Sequence, residues 1–153
     1  MDPKRFSAIA HGGLLIWNPA GPAKIDRALS DLAFTEESRC LDVGCGRAEV
    51  LVRLAERFGV HGTGIDSSTF AVDLARTEAS RRARPGLVEI TCGRFEDVSL
   101  PEDHYDLAIC LGATHAIGGY DKTLSILGKL TRPGGHLLVG ESYWRRAPDP
   151  EYL

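Results

Sequence analysis

Residues 41–49 read LDVGCGRAE, and this stretch decides the fold. Arg39–Val43 (RCLDV) is a short apolar run of strand length, stopped by Gly44-Cys45-Gly46. The residues that follow, AEVLVRLAERF, place Val50, Leu51, Leu54, Ala55 and Phe58 on one helical face. Glycines between a strand and a helix let the chain turn tightly and let a ligand approach the backbone with no Cβ in the way. Working outward, VHGTGID forms a second strand that ends at Asp66, and Ser67 and Ser68 offer caps for a helix reaching roughly Ser80. LVEITC (87–92) is a third strand. YDLAICL (105–111) is almost wholly apolar, as a central strand covered on both faces requires. Gly118-Gly119 precede a helix with Leu124, Leu127 and Leu130 on one face. Arg132-Pro133-Gly134-Gly135 then reads as a turn, and HLLVGE (136–141) as a fifth strand. Upstream, Pro22 suits a helix's first turn, with Ile25, Ala28, Leu29 and Leu32 as its apolar stripe. Strand and helix in alternation predict a three-layer α/β domain, a doubly wound parallel sheet with helices on both faces.

Composition narrows the function. The chain has 153 residues, 43% hydrophobic and 25% charged, with a net charge of -3. One domain of this length buries roughly 70% of its unfolded surface without staples. The acidic balance disfavours nucleic acid and anionic membrane as partners, and no apolar run approaches the roughly 20 residues of a membrane span. The N-terminus has no signal-peptide pattern, so a cytoplasmic location is expected. Cys40, Cys45, Cys92 and Cys110 form no CxxC pair and have no His at ligand spacing, so no metal is expected. Arg81, Arg82 and Arg84 read as the solvated end of a helix, where cations complement the dipole.

The glycine turn opens a helix, whose first N–H groups are free, and about twenty residues beyond Gly46 stands Asp66, where a carboxylate can accept both hydroxyl protons of a ribose. Together these point to a nucleotide-like cofactor. A dinucleotide fingerprint wants glycine where Glu49 stands, and an acid at the helix start sits poorly against a pyrophosphate. The pattern Asp42-x-Gly44-x-Gly46-x-Ala48 instead resembles motif I of the class I S-adenosylmethionine-dependent methyltransferases. GTGIDSS (62–68) resembles their ribose-binding loop, and residues 87–98 their adenine-side segment. YDLAICLGATHAIGG (105–119) resembles motif IV, and RPGGHLLVGE (132–141) the motif after the last crossover helix. More narrowly, GATHAIGG (112–119), GESYWRR (140–146) and the early IAH…WNP resemble a group of small bacterial methyltransferases.

The resemblance implies sheet order 3-2-1-4-5 and S-adenosylmethionine as cofactor. Asp42, Gly44, Cys45 and Gly46 would surround its methionyl part, with Asp42 indirectly holding the ammonium. Asp66 would take the ribose hydroxyls and Ser67 would line the adenine, with Leu111 also in the cofactor site. Ala48, in place of a third glycine, is tolerable at negative φ. Arg94 stands where the family often has an acid; Arg has no acceptor, so the backbone at Arg94–Phe95 is expected to read the adenine edge. Phe95 would supply a flat contact, with Glu96 or Asp97 as fallback acceptors.

The acceptor side is the loop Gly112–Gly119 after the fourth strand. It lacks the N/D-P-P-Y/F run of many amino-group methyltransferases, which disfavours bases and Gln as acceptors; a small-molecule acceptor is expected. His115 either takes a proton as the methyl arrives or braces the loop. His11, Trp17, Gly112 and Glu141 are the substrate-side candidates; Trp17 and Trp144 could wall the acceptor pocket, though core packing is the commoner fate of an aromatic. His61, His104 and His136 sit at strand starts and are read as structural. The expected organisation is a lid or helical segment (1–35), the cofactor-binding core (36–141) and an extended tail (142–153), without the antiparallel strands that end the resembled fold. The fifth strand would then be an open edge, inviting a homodimer or a folded-back tail. The alternatives are a cofactor-binding fragment without catalytic competence and a nucleotide-dependent oxidoreductase.

Overall fold

The computed structural model describes Ile16, residues 20–143, Arg145, Arg146, Asp149 and Glu151. The expectations for His11, Trp17, Trp144 and most of the lid lie outside these residues. Five strands, β1 (Arg39–Val43), β2 (His61–Asp66), β3 (Val88–Cys92), β4 (Tyr105–Leu111) and β5 (Thr131–Gly140), form one sheet. Their order is β3-β2-β1-β4-β5, and every pairing is parallel, as expected. The helices are α1 (Pro22–Leu29), α2 (Glu49–Phe58), α3 (Thr69–Arg82) and α4 (Tyr120–Leu130).

Strand alternation sorts the apolar residues into two cores. From β1 and β4, Cys40, Leu107 and Ile109 pack with α1, α2 and α3 through Ile25, Leu51, Leu54, Val72 and Ala75. Leu41, Val43, Ala108 and Cys110 point the other way, onto Leu127 and Leu130 of α4. Between β3 and β4 a single 3-10 turn, Phe95–Asp97, stands in place of a long helix, and Phe95, Val98 and Leu100 cover that part of the second core. Leu41, Leu51, Ile65, Leu107 and Ile109 are fully buried, each contributing about 1.5–3 kcal/mol of transfer free energy.

Three elements differ from the sequence reading. β5 begins at Thr131, and the expected Pro133-Gly134-Gly135 turn lies inside it as a bulge. Tyr105 pairs with Thr131 and Leu107 with His136, so the chain between them loops outward, with Gly134 at φ 82. His136 is therefore within the strand rather than at its start. On α4, Thr123 takes a buried position and Leu124 is only half-buried, because Thr123, Leu127 and Leu130 share the i, i+4, i+7 face. The Thr123 hydroxyl is satisfied by the Gly119 carbonyl at 2.8 Å. Finally, α1 ends at Leu29; Leu32 packs on the core from beyond it, and Ala28 is exposed. Among the described residues no helix is long and apolar enough to cross a membrane.

Candidate active site

Because all strands run one way, Val43, Asp66, Cys92, Leu111 and Gly140 end at the same edge of the sheet. β1 lies between β2 and β4, where successive connections leave in opposite directions and open a crevice. Gly44 borders it so closely to the loop after β4 that a Cβ there would collide with the Ala113 side chain.

The turn after β1 is left-handed at Gly44 (φ 71), Gly46 (φ 55) and Ala48 (φ 56). The N–H groups of Gly44 and Cys45 both donate to the Ile65 carbonyl, at 2.8 and 3.1 Å, fastening the turn to β2. Asp66 is held by the backbone on both sides. Its Oδ2 accepts from the Gly46 N–H and its Oδ1 from the Ser68 N–H, each at 2.8 Å. An ionised carboxylate has about four acceptor positions, so two remain for a diol. Ser67, exposed, follows directly, and Ser68 caps α3 by accepting from the Ala71 N–H.

Asp42 is only 4% exposed, on the strand beside Asp66. Burial, and then the negative charge of Asp66, push its carboxyl up to about 7. A cation bound in the crevice would reverse that penalty. The Cys45 thiol is buried and pushed well above its usual range by the same burial and by both aspartates, so it acts as a small hydrophobe. A buried acid in need of a cation, a second acid with room for a diol and a turn without Cβ atoms fit an amino-acid nucleoside such as S-adenosylmethionine. Leu111 is half-buried against the first core. On the adenine side, Phe95 is half-buried against the second core, and Arg94 is exposed and pairs with Glu96 at 2.7 Å. Glu96 is thereby engaged at the surface, and Asp97 is exposed in the same turn.

The loop after β4 winds around Thr114. Gly112, at φ 74, donates to the Gly140 carbonyl at 2.7 Å, joining the ends of β4 and β5. The Thr114 carbonyl accepts from the N–H groups of Ile117, Gly118 and Gly119. The Thr114 hydroxyl donates to Glu141 Oε2 at 2.6 Å, and its N–H donates to the same oxygen at 3.3 Å. That hydroxyl and the Ser142 N–H, aided by His115, hold the Glu141 carboxyl below its ordinary value. Thr114 and Glu141 are the loop's brace, while His115 is exposed on the 3-10 turn Thr114–Ala116.

Three residues behave differently from their reading in the sequence. Ala48 has positive φ and is fully buried, where negative φ was expected. Glu49 does not present its charge to the crevice. Its side chain, 3% exposed, is turned into the helical layer and paired with Arg53 and Arg82. Its position in the sequence therefore does not by itself argue against a pyrophosphate. Arg82 is not a solvated helix end, because at 16% exposure it meets Glu49 and Glu56, each at 2.8 Å. Ion pairs between helices leave no periodic signal in a single sequence. Thr114 was also missed, because a buried threonine in a loop looks like any other.

Comparison with known proteins decides the family. A family model described as a methyltransferase domain matches residues 34–149. The chain belongs to this methyltransferase family. Over 156 aligned residues it is 34% identical to the uncharacterized protein YjhP of Escherichia coli, spanning all of this chain and 61% of that protein. The crystal structure of a SAM-dependent methyltransferase from Thiobacillus denitrificans, in complex with S-adenosyl-L-homocysteine, superposes with TM-score 0.85 at 32% identity. That match covers 99% of this chain and 61% of the other. A ubiquinone biosynthesis O-methyltransferase from Alkalilimnicola ehrlichii is 29% identical over 132 residues, covering 80% of this chain and 52% of that protein. The chain thus spans between 52% and 61% of the length of these relatives. S-adenosylmethionine is its cofactor, and the residues of the turn between β1 and α2, with Asp66 at the end of β2, fit it.

Proposed function

We propose that the domain transfers a methyl group from S-adenosylmethionine to a small-molecule acceptor held over the Gly112–Gly119 loop. Asp66 receives the ribose hydroxyls, and Asp42 faces the ammonium side. Gly44, Cys45 and Gly46 let the methionyl part lie against the backbone, while Ser67, Leu111, Phe95 and the backbone at Arg94 surround the nucleoside. The cofactor supplies an electrophilic methyl on a sulfonium; the protein's part is to align it with the acceptor. The observation that carries this reading is the Asp66 carboxylate, held open by the N–H groups of Gly46 and Ser68 beside the buried Asp42. A relative named for O-methylation in ubiquinone biosynthesis supports a small-molecule acceptor.

On the acceptor side, His115 is the proton acceptor. The bracing of the loop is already accomplished by Thr114 and Glu141, which leaves the exposed imidazole available to a ligand. Gly112 gives the acceptor access to the backbone. His115→Ala should lower turnover by roughly 10²–10⁴ while cofactor affinity and melting temperature stay nearly unchanged. Transfer of labelled methyl from S-adenosylmethionine into an acceptor pool measures the first, and calorimetry and thermal melting the others. Parallel loss of affinity and thermal stability would return His115 to a structural role, and labelled product from no acceptor would favour a cofactor-binding domain without competence.

β5 has a neighbour on one side among the described residues, and Leu137 on it is 38% exposed. We propose that this edge pairs two copies of the chain.

A further inference from the structure

Ala48 sits in the left-handed region at φ 56, which costs a residue with a Cβ on the order of 1 kcal/mol. Its Cβ is sealed in the core and α2 has no side-chain cap; at the position itself the Ala48 N–H donates to the Cys45 carbonyl at 2.8 Å and its carbonyl accepts from the Val52 N–H at 2.9 Å. Side-chain ties to a second helix lie on either side. Arg47 reaches Glu78 of α3 at 3.9 Å, and Glu49 accepts from Arg82 of α3 at 2.8 Å and from Arg53 at 2.8 Å. Glu78 and Arg82 are one turn apart and contact each other at 3.8 Å. Both neighbours of the strained alanine are therefore tied to the last turns of one helix. That same helix starts just beyond Asp66, whose carboxylate accepts from the Gly46 N–H in the turn. α3 is thus attached to the glycine turn twice, through Asp66 at its start and through Arg82 at its end.

We infer that Glu49 and Arg82 are positioning residues for the cofactor. They hold Ala48 left-handed, which keeps the Gly46 N–H on Asp66 and the carboxylate aimed at the ribose. The inference rests on the assignment of the glycine turn and Asp66 to S-adenosylmethionine. Neither residue touches the cofactor; both act through the turn. The arginines have other partners, Asp26 for Arg53 and Glu56 for Arg82, each at 2.8 Å, so removing the Glu49 charge leaves neither cation alone. In Glu49→Gln the amide presents a donor where one guanidinium needs an acceptor, so one arm opens. Ala48 then relaxes and the turn shifts.

The test is a double-mutant cycle read in S-adenosylhomocysteine affinity, by calorimetry on the full chain. Glu49→Gln should bind roughly tenfold more weakly, as expected for losing one hydrogen bond between charged groups. Ala48→Gly should bind within about threefold of the parent, because glycine adopts this φ without a clamp. The double variant Ala48→Gly/Glu49→Gln should regain most of the loss, although no ion pair has been restored. A merely structural salt bridge would give no such rescue. Arg82→Met, which leaves the Glu49–Arg53 pair in place, serves if Glu49→Gln does not fold, with the same rescue expected. Parent-like affinity in Glu49→Gln, or a double variant no better than Glu49→Gln, overturns the inference. A parent chain that does not bind S-adenosylhomocysteine overturns the cofactor site first, and the inference with it.

Discussion

Asp42 and Asp66 stand on adjacent strands, and their charges oppose one another until a cation arrives between them and solvent. In the ligand-free protein the Asp42 carboxyl, raised from 3.8 to about 7, keeps a proton that the unfolded chain gives up. Its contribution to stability is complete below the unfolded value and is lost as pH rises through about 7. A bound ammonium favours the carboxylate and drives that proton off. S-adenosylhomocysteine affinity should therefore rise with pH across this window. Calorimetry near pH 6 in two buffers of different ionisation enthalpy should show proton release, and identical enthalpies in both would contradict the role of Asp42. Asp66→Ala should weaken binding by roughly 1–3 kcal/mol through loss of charge-assisted bonds to the ribose; an unchanged dissociation constant would remove Asp66 from the site. Both aspartates were legible in the sequence because each stands at or near the end of a short strand, Asp42 two residues before Gly44 and Asp66 two residues after Gly64. Ala48, Glu49 and Arg82 were not, since Glu49 and Arg82 meet as an ion pair between successive helices, 33 residues apart, which no local pattern records.

Strands β1 to β4 were readable within a residue or so: β1 and β4 as the short, nearly continuous apolar runs of strands covered on both faces, and β3 by its alternation. β5 was readable only from His136 onward. Arg132-Pro133-Gly134-Gly135 has turn chemistry, and only its contact with β4 keeps it in the sheet as a bulge. Gly135 is the tight point of that bulge. A Cβ there would lie 3.0 Å from the carbonyl oxygens of both Arg132 and Asp106. Gly135→Ala should therefore destabilise the domain by about 1–3 kcal/mol, as overpacking does, while Gly134→Ala meets no neighbour and suffers only its φ of 82. Urea unfolding of the two variants checks this; a Gly135→Ala midpoint equal to the parent's would show that the bulge yields. At the crevice, Gly44→Ala meets both a φ of 71 and the Ala113 side chain, so it should abolish cofactor binding. Retention of parent affinity would mean that the turn and the loop after β4 can separate freely.

At the level of the molecule, five parallel strands leave β5 with one partner among the described residues, and Leu137 and the strand's free N–H and C=O groups outward. Exposed edges of this kind pair with another strand unless something covers them. Light scattering at low micromolar concentration should find a dimer, and replacing Leu137 with Lys should return it to a monomer; a monomeric parent would show that the edge is protected in another way. The site at the ends of β1 and β2 is built for S-adenosylmethionine rather than for a dinucleotide. Separate calorimetric titrations with S-adenosylhomocysteine and NADH test it most directly. S-adenosylhomocysteine should bind with a dissociation constant in the micromolar range, about -8 kcal/mol, and NADH should give no heat of binding at the same site. Saturable NADH binding with S-adenosylhomocysteine silent would contradict the account.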